Sequence, residues 1–317
     1  MSKLIIAPPL CFSPTAIHDR WTLLGEFLRK EHGFEYHKTI IDSLPGNNNR
    51  NIRIEALPSD VETIFLLTPL KFLNSEAFLG ALDKQPNAKL ISYVFDTHSH
   101  GDFFKELFQR SSLILSWHDE KFRVRWPEYA DKLVFFPPYF SPDERFVRHQ
   151  FNEEPIMKCL VAGSTSRHYP LRRYLLREAI HGHRDILDVL HYAGVFGAEE
   201  EGAIVRNAFA DKLHEYYCGA TSTVLGCVIC KPLEIAAVGS LLLTNRIRDF
   251  DTMGFVPYVH YIPITKENAI EVITGCIANP EKYKEVRLNG MRLVRADHSW
   301  GKRMAQLSAL IKAVESW

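Results

Sequence analysis

Lys231 and Glu234 stand one helical turn apart in the run KPLEIAAVGSLLLTN, residues 231–245. A cation and a carboxylate on one side of a helix start form a plausible corner for a nucleotide. The helix end favours phosphate, and a carboxylate can accept both hydroxyls of a ribose. The same run encodes the elements that hold the pair. Pro232 suits the first helical position, where its missing N–H costs nothing, and this puts Glu234 in the first turn. Gly239 can end the helix in a left-handed conformation. Residues 240–244, SLLLT, then read as a short buried strand.

Ligands of open α/β sheets sit beyond the carboxyl ends of the strands, so residues just after strand patterns are the other candidates. Gly163-Ser164-Thr165-Ser166-Arg167 follows the strand pattern of residues 157–162. Glycine lets backbone N–H groups approach an anion, hydroxyls donate, and arginine pairs with phosphate. An ordinary strand–helix turn has the same composition. Arg172 and Arg173, one turn further on, read as solvated. Residues 219–223, GATST, follow a helix pattern; they supply further hydroxyls or contact a base, or they are a helix-ending turn. In the first half, Asp96-Thr97-His98-Ser99-His100 follows the strand pattern of residues 90–95. A carboxylate and an imidazole there could act as general base toward a hydroxyl, Asp96 ahead of His98. Helix capping by Asp96 or Ser99 is the other use of these residues. His118-Asp119 is a weaker duplicate. Trp21 and Trp117 could stack on a sugar or pack in the core.

These loops need sheets to carry them. Residues 3–7, 62–67, 90–95, 113–117 and 133–136 read as strands separated by amphipathic stretches, among them Trp21, Leu24, Phe27 and Leu28, and Phe103, Phe104, Leu107 and Phe108. Such alternation predicts a parallel sheet covered on both faces. Residues 44–50, LPGNNNR, read as a polar turn. The polar, proline-bracketed residues 141–155 mark a boundary, and a second alternation follows it. There Pro170 opens a helix whose buried stripe is Leu171, Tyr174, Leu175 and Ala179. Two doubly wound α/β domains result, residues 1–150 and 151–298. Residues 299–317 read as a last helix, with Met304, Leu307, Leu310, Ile311 and Val314 in helical period.

The 317 residues suffice for two domains of ordinary size, and a formal net charge of zero argues against nucleic-acid binding by bulk charge. No apolar run approaches the ~20 residues of a membrane span. The N-terminal MSKLIIAPPLCF reads as a strand, not a signal peptide, so a cytoplasmic location is expected. Six cysteines in a chain this long need not form a disulfide framework. Cys227-Val-Ile-Cys230 invites a redox or zinc reading, but its flanks are apolar and no second CxxC exists; buried small side chains are the alternative. The histidine pairs His98/His100 and His181/His183 lack the spacing and carboxylates of a helical zinc site, and no metal site is expected.

The run from Lys231 to Thr244 resembles the R/K-x-x-E-x-x-A-x-G-x-L-L-L-T signature of group 1 glycosyltransferases, and most closely their spore-maturation branch. The likeness continues through Gly254-Phe255, residues 259–263, Asn279-Pro280-Glu281 and the closing NGMRLVRADHSWGKRM of residues 289–304. It covers the last third of the chain by motif. The resemblance implies the GT-B architecture: two Rossmann-like domains facing a central cleft, with the last helix packing back on the first domain. It implies a glycosyltransferase without metal or cofactor, whose co-substrate is a nucleoside-diphosphate-sugar and whose acceptor is a glycan or other hydroxyl compound. By resemblance Glu234 binds the donor ribose, and the loop of Gly163, Ser164, Thr165 and Arg167 serves the diphosphate; Lys231 neutralises phosphate or holds Glu234 in place. Many members have a second glutamate, contacting the sugar, eight residues before the first; here that position is Gly226. Two other readings of the fold remain: a nucleotide-sugar epimerase, and a non-catalytic protein that binds a nucleotide-sugar or glycan.

Overall fold

Short apolar runs rich in Val, Ile and Leu, each followed by an amphipathic stretch, set the architecture of the computed structural model. The structure describes residues 2–7, 20–37, 39–43, 50–54, 56–68, 75–94, 102–137, 142–190, 204–223 and 226–317. They fall into two compact units: the residues up to Pro137 with Ala305–Trp317, and the residues from 138 to 304.

The first unit contains β1 (Ser2–Ile6), α1 (Arg20–His32), β2 (Glu35–Tyr36), β3 (Thr39–Ser43), β4 (Arg50–Ile54), β5 (Val61–Thr68), α2 (Ser75–Asp83), β6 (Lys89–Val94), α3 (Asp102–Arg110), β7 (Leu113–Ser116), α4 (Asp119–Arg125) and β8 (Leu133–Phe135). Six strands form one sheet in the order β2-β1-β5-β6-β7-β8, parallel at every pairing. Parallel strands covered by helices read as continuous apolar runs, and Ile64, Phe65, Leu66 and Leu67 of β5 are accordingly buried. Phe104, Leu107 and Phe108 of α3 join the same core. The expectation of simple strand–helix alternation missed one feature. β3 and β4 pair antiparallel, from Thr39 opposite Ile54 to Ser43 opposite Arg50, on either side of the polar residues 44–49. Trp117 is buried, and its indole N–H donates to the Tyr93 hydroxyl.

The second unit contains α5 (Glu144–Val147), β9 (Ile156–Val161), α6 (Pro170–His181), β10 (Leu187–Val189), α7 (Arg206–Glu215), β11 (Tyr216–Ala220), α8 (Cys230–Ala237), β12 (Leu241–Thr244), α9 (Arg248–Thr252), β13 (Ile262–Pro263), α10 (Ala269–Ala278) and α11 (Pro280–Asp297). Its five-stranded sheet has the order β10-β9-β11-β12-β13 and is also parallel throughout. Leu171, Leu175 and Ala179 of α6 pack into its core as their spacing predicts.

Two local expectations are corrected. Residues 219 and 220 belong to strand β11, which starts directly at the end of α7, so the segment 219–223 is a strand end and not a helix-ending turn. Helix α8 begins at Cys230, with extended Ile229 as its N-cap, so Pro232 is its third residue and Glu234 lies beyond the first turn. Proline is tolerated there because no N–H of the first turn has an intrahelical partner. Gly239 ends the helix with φ of 83°, in the left-handed region.

The last helix, α12 (Trp300–Ser316), presents Met304, Leu307, Ile311 and Val314 as one buried face. Within the first unit its residues are held by polar contacts. Lys3 Nζ meets Glu315 Oε1 at 2.6 Å, Lys89 Nζ donates to the Glu315 carbonyl at 2.8 Å, and His32 Nε2 meets Ser308 Oγ at 2.7 Å. No described helix is long and apolar enough to cross a membrane.

Candidate functional site

In the second sheet β9 lies between β10 and β11. The chain leaves β9 toward one edge and later returns on its other side. The carboxyl ends of β9 and β11 therefore flank the point where strand order reverses, the usual ligand position of open α/β sheets. Gly163 follows β9, Thr221, Ser222 and Thr223 follow β11, and Asn245 follows β12.

One side chain bridges that reversal point. Arg172, in the first turn of α6, is 2% exposed. Its guanidinium lies 3.6 Å from the centre of the Tyr169 ring. Nε is 3.4 Å from Ser222 Oγ, one terminal nitrogen is 3.4 Å from the Ser222 carbonyl, and the other is 3.5 Å from the Ala162 carbonyl. Contacts this long are weak. Gly163 makes room for the group: with φ of 99°, any Cβ there would lie 2.1 Å from an Arg172 guanidinium nitrogen and 3.6 Å from Lys231 Cγ. The expectation that Arg172 is solvated is thus corrected, while Arg173 is exposed. The signal was present: residues 172, 175 and 179 share one helical stripe, with Leu175 and Ala179 as its apolar members.

Lys231 and Glu234 meet as their spacing predicts. Lys231 Nζ donates to Glu234 Oε2 at 2.9 Å and lies 4.0 Å from the centre of the Phe209 ring. The two residues are 8% and 1% exposed. A buried ion pair offsets its own desolvation only while both members remain; removing one typically costs about 3–5 kcal/mol.

Beside them, Thr223 and Asn245 lock the ends of β11 and β12 together. The Thr223 N–H donates to Asn245 Oδ1 at 2.8 Å, and Asn245 Nδ2 donates to Thr223 Oγ1 at 2.6 Å. Asn245 was not a candidate from sequence, although a polar residue directly after the apolar LLLT strand is the signal for it. On the other side of β9, a pocket of about 450 Å³ is lined by residues 163–166, Leu176, Val189 and Leu190.

The structure thus gathers Gly163, Ser164, Thr165, Lys231 and Glu234 at one edge, with Arg172 among them. Arg167 is exposed at the end of the same loop. Asp96 and His98 lie outside the described residues. His118 is buried, and Asp119 pairs with Arg123 at 2.8 Å. Gly226 takes a left-handed φ of 72°, a conformation that suits glycine and that a glutamate there would rarely adopt. Cys227 and Cys230 are buried and form no disulfide, as is true of Cys159, Cys218 and Cys276. Burial pushes the Cys218 thiol well above its ordinary pKa. Among the described residues no three His, Cys, Asp or Glu side chains are grouped to hold a metal ion.

A family model described as glycosyl transferase-like matches residues 145–309, a little over half of the chain, and the protein belongs to that family. Its fold is GT-B. HepE from Anabaena, solved in complex with UDP, is similar with a TM-score of 0.64 and 10% identity over 99% of this chain and 100% of HepE. Sucrose-phosphate synthase from Thermosynechococcus elongatus gives a TM-score of 0.63 and 12% identity over 100% of both chains. The pneumococcal O-GlcNAc transferase GtfA gives 0.52 and 11% identity over 80% of this chain, which spans only 58% of GtfA. At these identities the likeness is one of fold. No curated relative matches the chain.

Proposed function

We propose that the chain transfers a sugar from a nucleoside-diphosphate-sugar to an acceptor hydroxyl, as a hexosyl- or pentosyltransferase. The main support is the succession of groups along the carboxyl edge of the second sheet. Over β10 and β9 lies a neutral pocket lined by the hydroxyl residues 164–166 and by Leu176, Val189 and Leu190. Over β9 and β11 come Arg172 and the Lys231–Glu234 ion pair, together net cationic. Over β11 and β12 comes the neutral Thr223–Asn245 pair. Neutral, cationic, neutral is the complement of nucleoside, diphosphate and sugar.

Departure of the nucleoside diphosphate places developing charge on its leaving oxygen, and fixed positive groups stabilise it. The Arg172 guanidinium matches phosphate oxygens as a two-pronged donor. Lys231, the backbone N–H groups near Ser164 and Thr165, and Arg167 complete the diphosphate site. Glu234 accepts the ribose hydroxyls; at 1% exposure, it does so only once the groups covering it part on binding. Asp96, with His98 second, takes the acceptor proton. In this reading the reaction uses no metal and no cofactor; Arg172, with Lys231 beside it, faces the diphosphate. The acceptor is a glycan or another hydroxyl compound. HepE structures hold UDP and UDP-glucose, which makes uridine donors the first to test.

Titration calorimetry with UDP, UDP-glucose and their GDP and ADP counterparts, followed by product analysis with and without acceptors, tests this. One nucleoside diphosphate binds saturably, and it is released from its sugar only when acceptor is present. Binding of none of them overturns the donor site. A changed sugar without acceptor makes the protein an epimerase, and binding without turnover makes it a nucleotide-sugar- or glycan-binding protein.

A further inference from the structure

Helix α8 carries both Lys231 and Glu234, and every one of its residues is buried. Its far end is held by two arginines of α11. Arg295 donates from Nε to the Ala237 carbonyl at 2.9 Å and from a terminal nitrogen to the His149 carbonyl at 2.6 Å. Arg287 donates from Nε to the Gly239 carbonyl at 2.9 Å and from a terminal nitrogen to the Asn152 carbonyl at 2.9 Å. The two arginines thereby satisfy carbonyls that no intrahelical N–H reaches. They place positive charge at the negative end of the helix dipole, and both tie that end to the segment 149–152. Arg287 is 5% exposed and lies 4.4 Å from the centre of the Phe151 ring. Between them on α11, a Cβ on Gly290 would lie 2.6 Å from the His260 carbonyl oxygen and 3.8 Å from Ala236 Cβ, so α11 and α8 are in close approach. Neither arginine lines the pocket beside Gly163.

We propose that Arg287 and Arg295 are positioning residues of the donor site, acting through α8 on the Lys231–Glu234 pair; this rests on the donor reading above. Glu234 precedes Ala237 by one helical turn, and a helix of two turns shifts as a rod. Loosening the Ala237 carbonyl from Arg295 therefore displaces the carboxylate, although Arg295 touches no ligand.

The test combines UDP affinity, thermal melting and thiol labelling in wild type, Arg295→Ala, Arg295→Lys, Glu234→Gln and the Arg295→Ala/Glu234→Gln double variant. Arg295→Ala weakens UDP binding roughly tenfold and Arg295→Lys less, whereas in the Glu234→Gln background the same alanine change costs less than about twofold. A second readout needs no ligand. Cys230, the first residue of α8, is 9% exposed. In Arg295→Ala it reacts faster with a maleimide, while Cys159, Cys218 and Cys276 of the sheet core stay protected, as located by peptide mass. The proposal is overturned if Arg295→Ala lowers the melting temperature but leaves affinity and Cys230 unchanged. Equal losses of affinity in both backgrounds, or exposure of all thiols together, overturn it as well. If wild type binds no nucleoside diphosphate, the donor reading fails, and Cys230 labelling alone decides whether the arginines position α8.

Discussion

Arg172 is the residue on which the site turns, and its role is open to substitution. Its fork spans the Ala162 carbonyl and two Ser222 oxygens, a geometry that a lysine ammonium cannot reproduce. Both Arg172→Leu and Arg172→Lys are expected to weaken nucleoside-diphosphate binding by roughly 2–3 kcal/mol, the scale of a charge-assisted hydrogen bond. Arg167→Ala, at an exposed loop position, is expected to change it by under about 1 kcal/mol. Calorimetry of the three variants checks the order, and a lysine variant that binds like wild type would remove the argument from fork geometry. The contrast also shows what sequence could reveal at this scale. Lys231 and Glu234 were legible because helical spacing alone brings them together. Arg172 and Ser222 are 50 positions apart, and Thr223 and Asn245 are 22 apart. Whether such side chains are buried together depends on strand order, which local pattern does not contain.

Elements were legible where their signals were local. The parallel strands follow from apolar runs and the start of α6 from Pro170. β11 was hidden because it follows α7 without a turn, and the start of α8 was misread because an extended isoleucine, not a polar cap, precedes it. The end of α11 carries a pH-sensitive contact that no pattern announces. His298 is 4% exposed, receives a bond from Arg303 on Nδ1 at 2.6 Å and donates from Nε2 to the Met253 carbonyl at 2.8 Å. Arginine can only donate, so the ring is neutral with its proton on Nε2. Burial, then the charge of Arg303, lowers its pKa to about 4. The unfolded chain takes up this proton near pH 6.5 and the folded one does not. The stabilisation is therefore complete above pH 6.5 and is lost as pH falls toward 4, up to about 3 kcal/mol. Urea melts between pH 7.5 and 4.5 are expected to show this decline, with a shallower slope in His298→Gln; an unchanged slope would assign the decline to other groups.

For the molecule as a whole, 38 basic and 38 acidic residues leave no net charge. Of the proposed site's cations, Arg172 and Lys231 are buried and Arg167 alone is exposed, too little to form a surface field. Retention on DNA or heparin resins is therefore expected to vanish at about 0.15 M salt, where the screening length is about 8 Å. Retention beyond that would reveal a basic surface that composition conceals. The division into two alternating α/β halves was legible at this scale, because each half contains a complete strand–helix series with its own apolar core.

The contacts of Lys3 and Lys89 with Glu315, and of His32 with Ser308, have a consequence for synthesis. The ribosome makes β1 to β8 first, yet the helix that completes their unit emerges only with residues 305–317. Every residue of the second unit has by then passed through the ribosome. The half made first is thus the half completed last, and in the interval its unfinished surface is what a chaperone on the ribosome would meet.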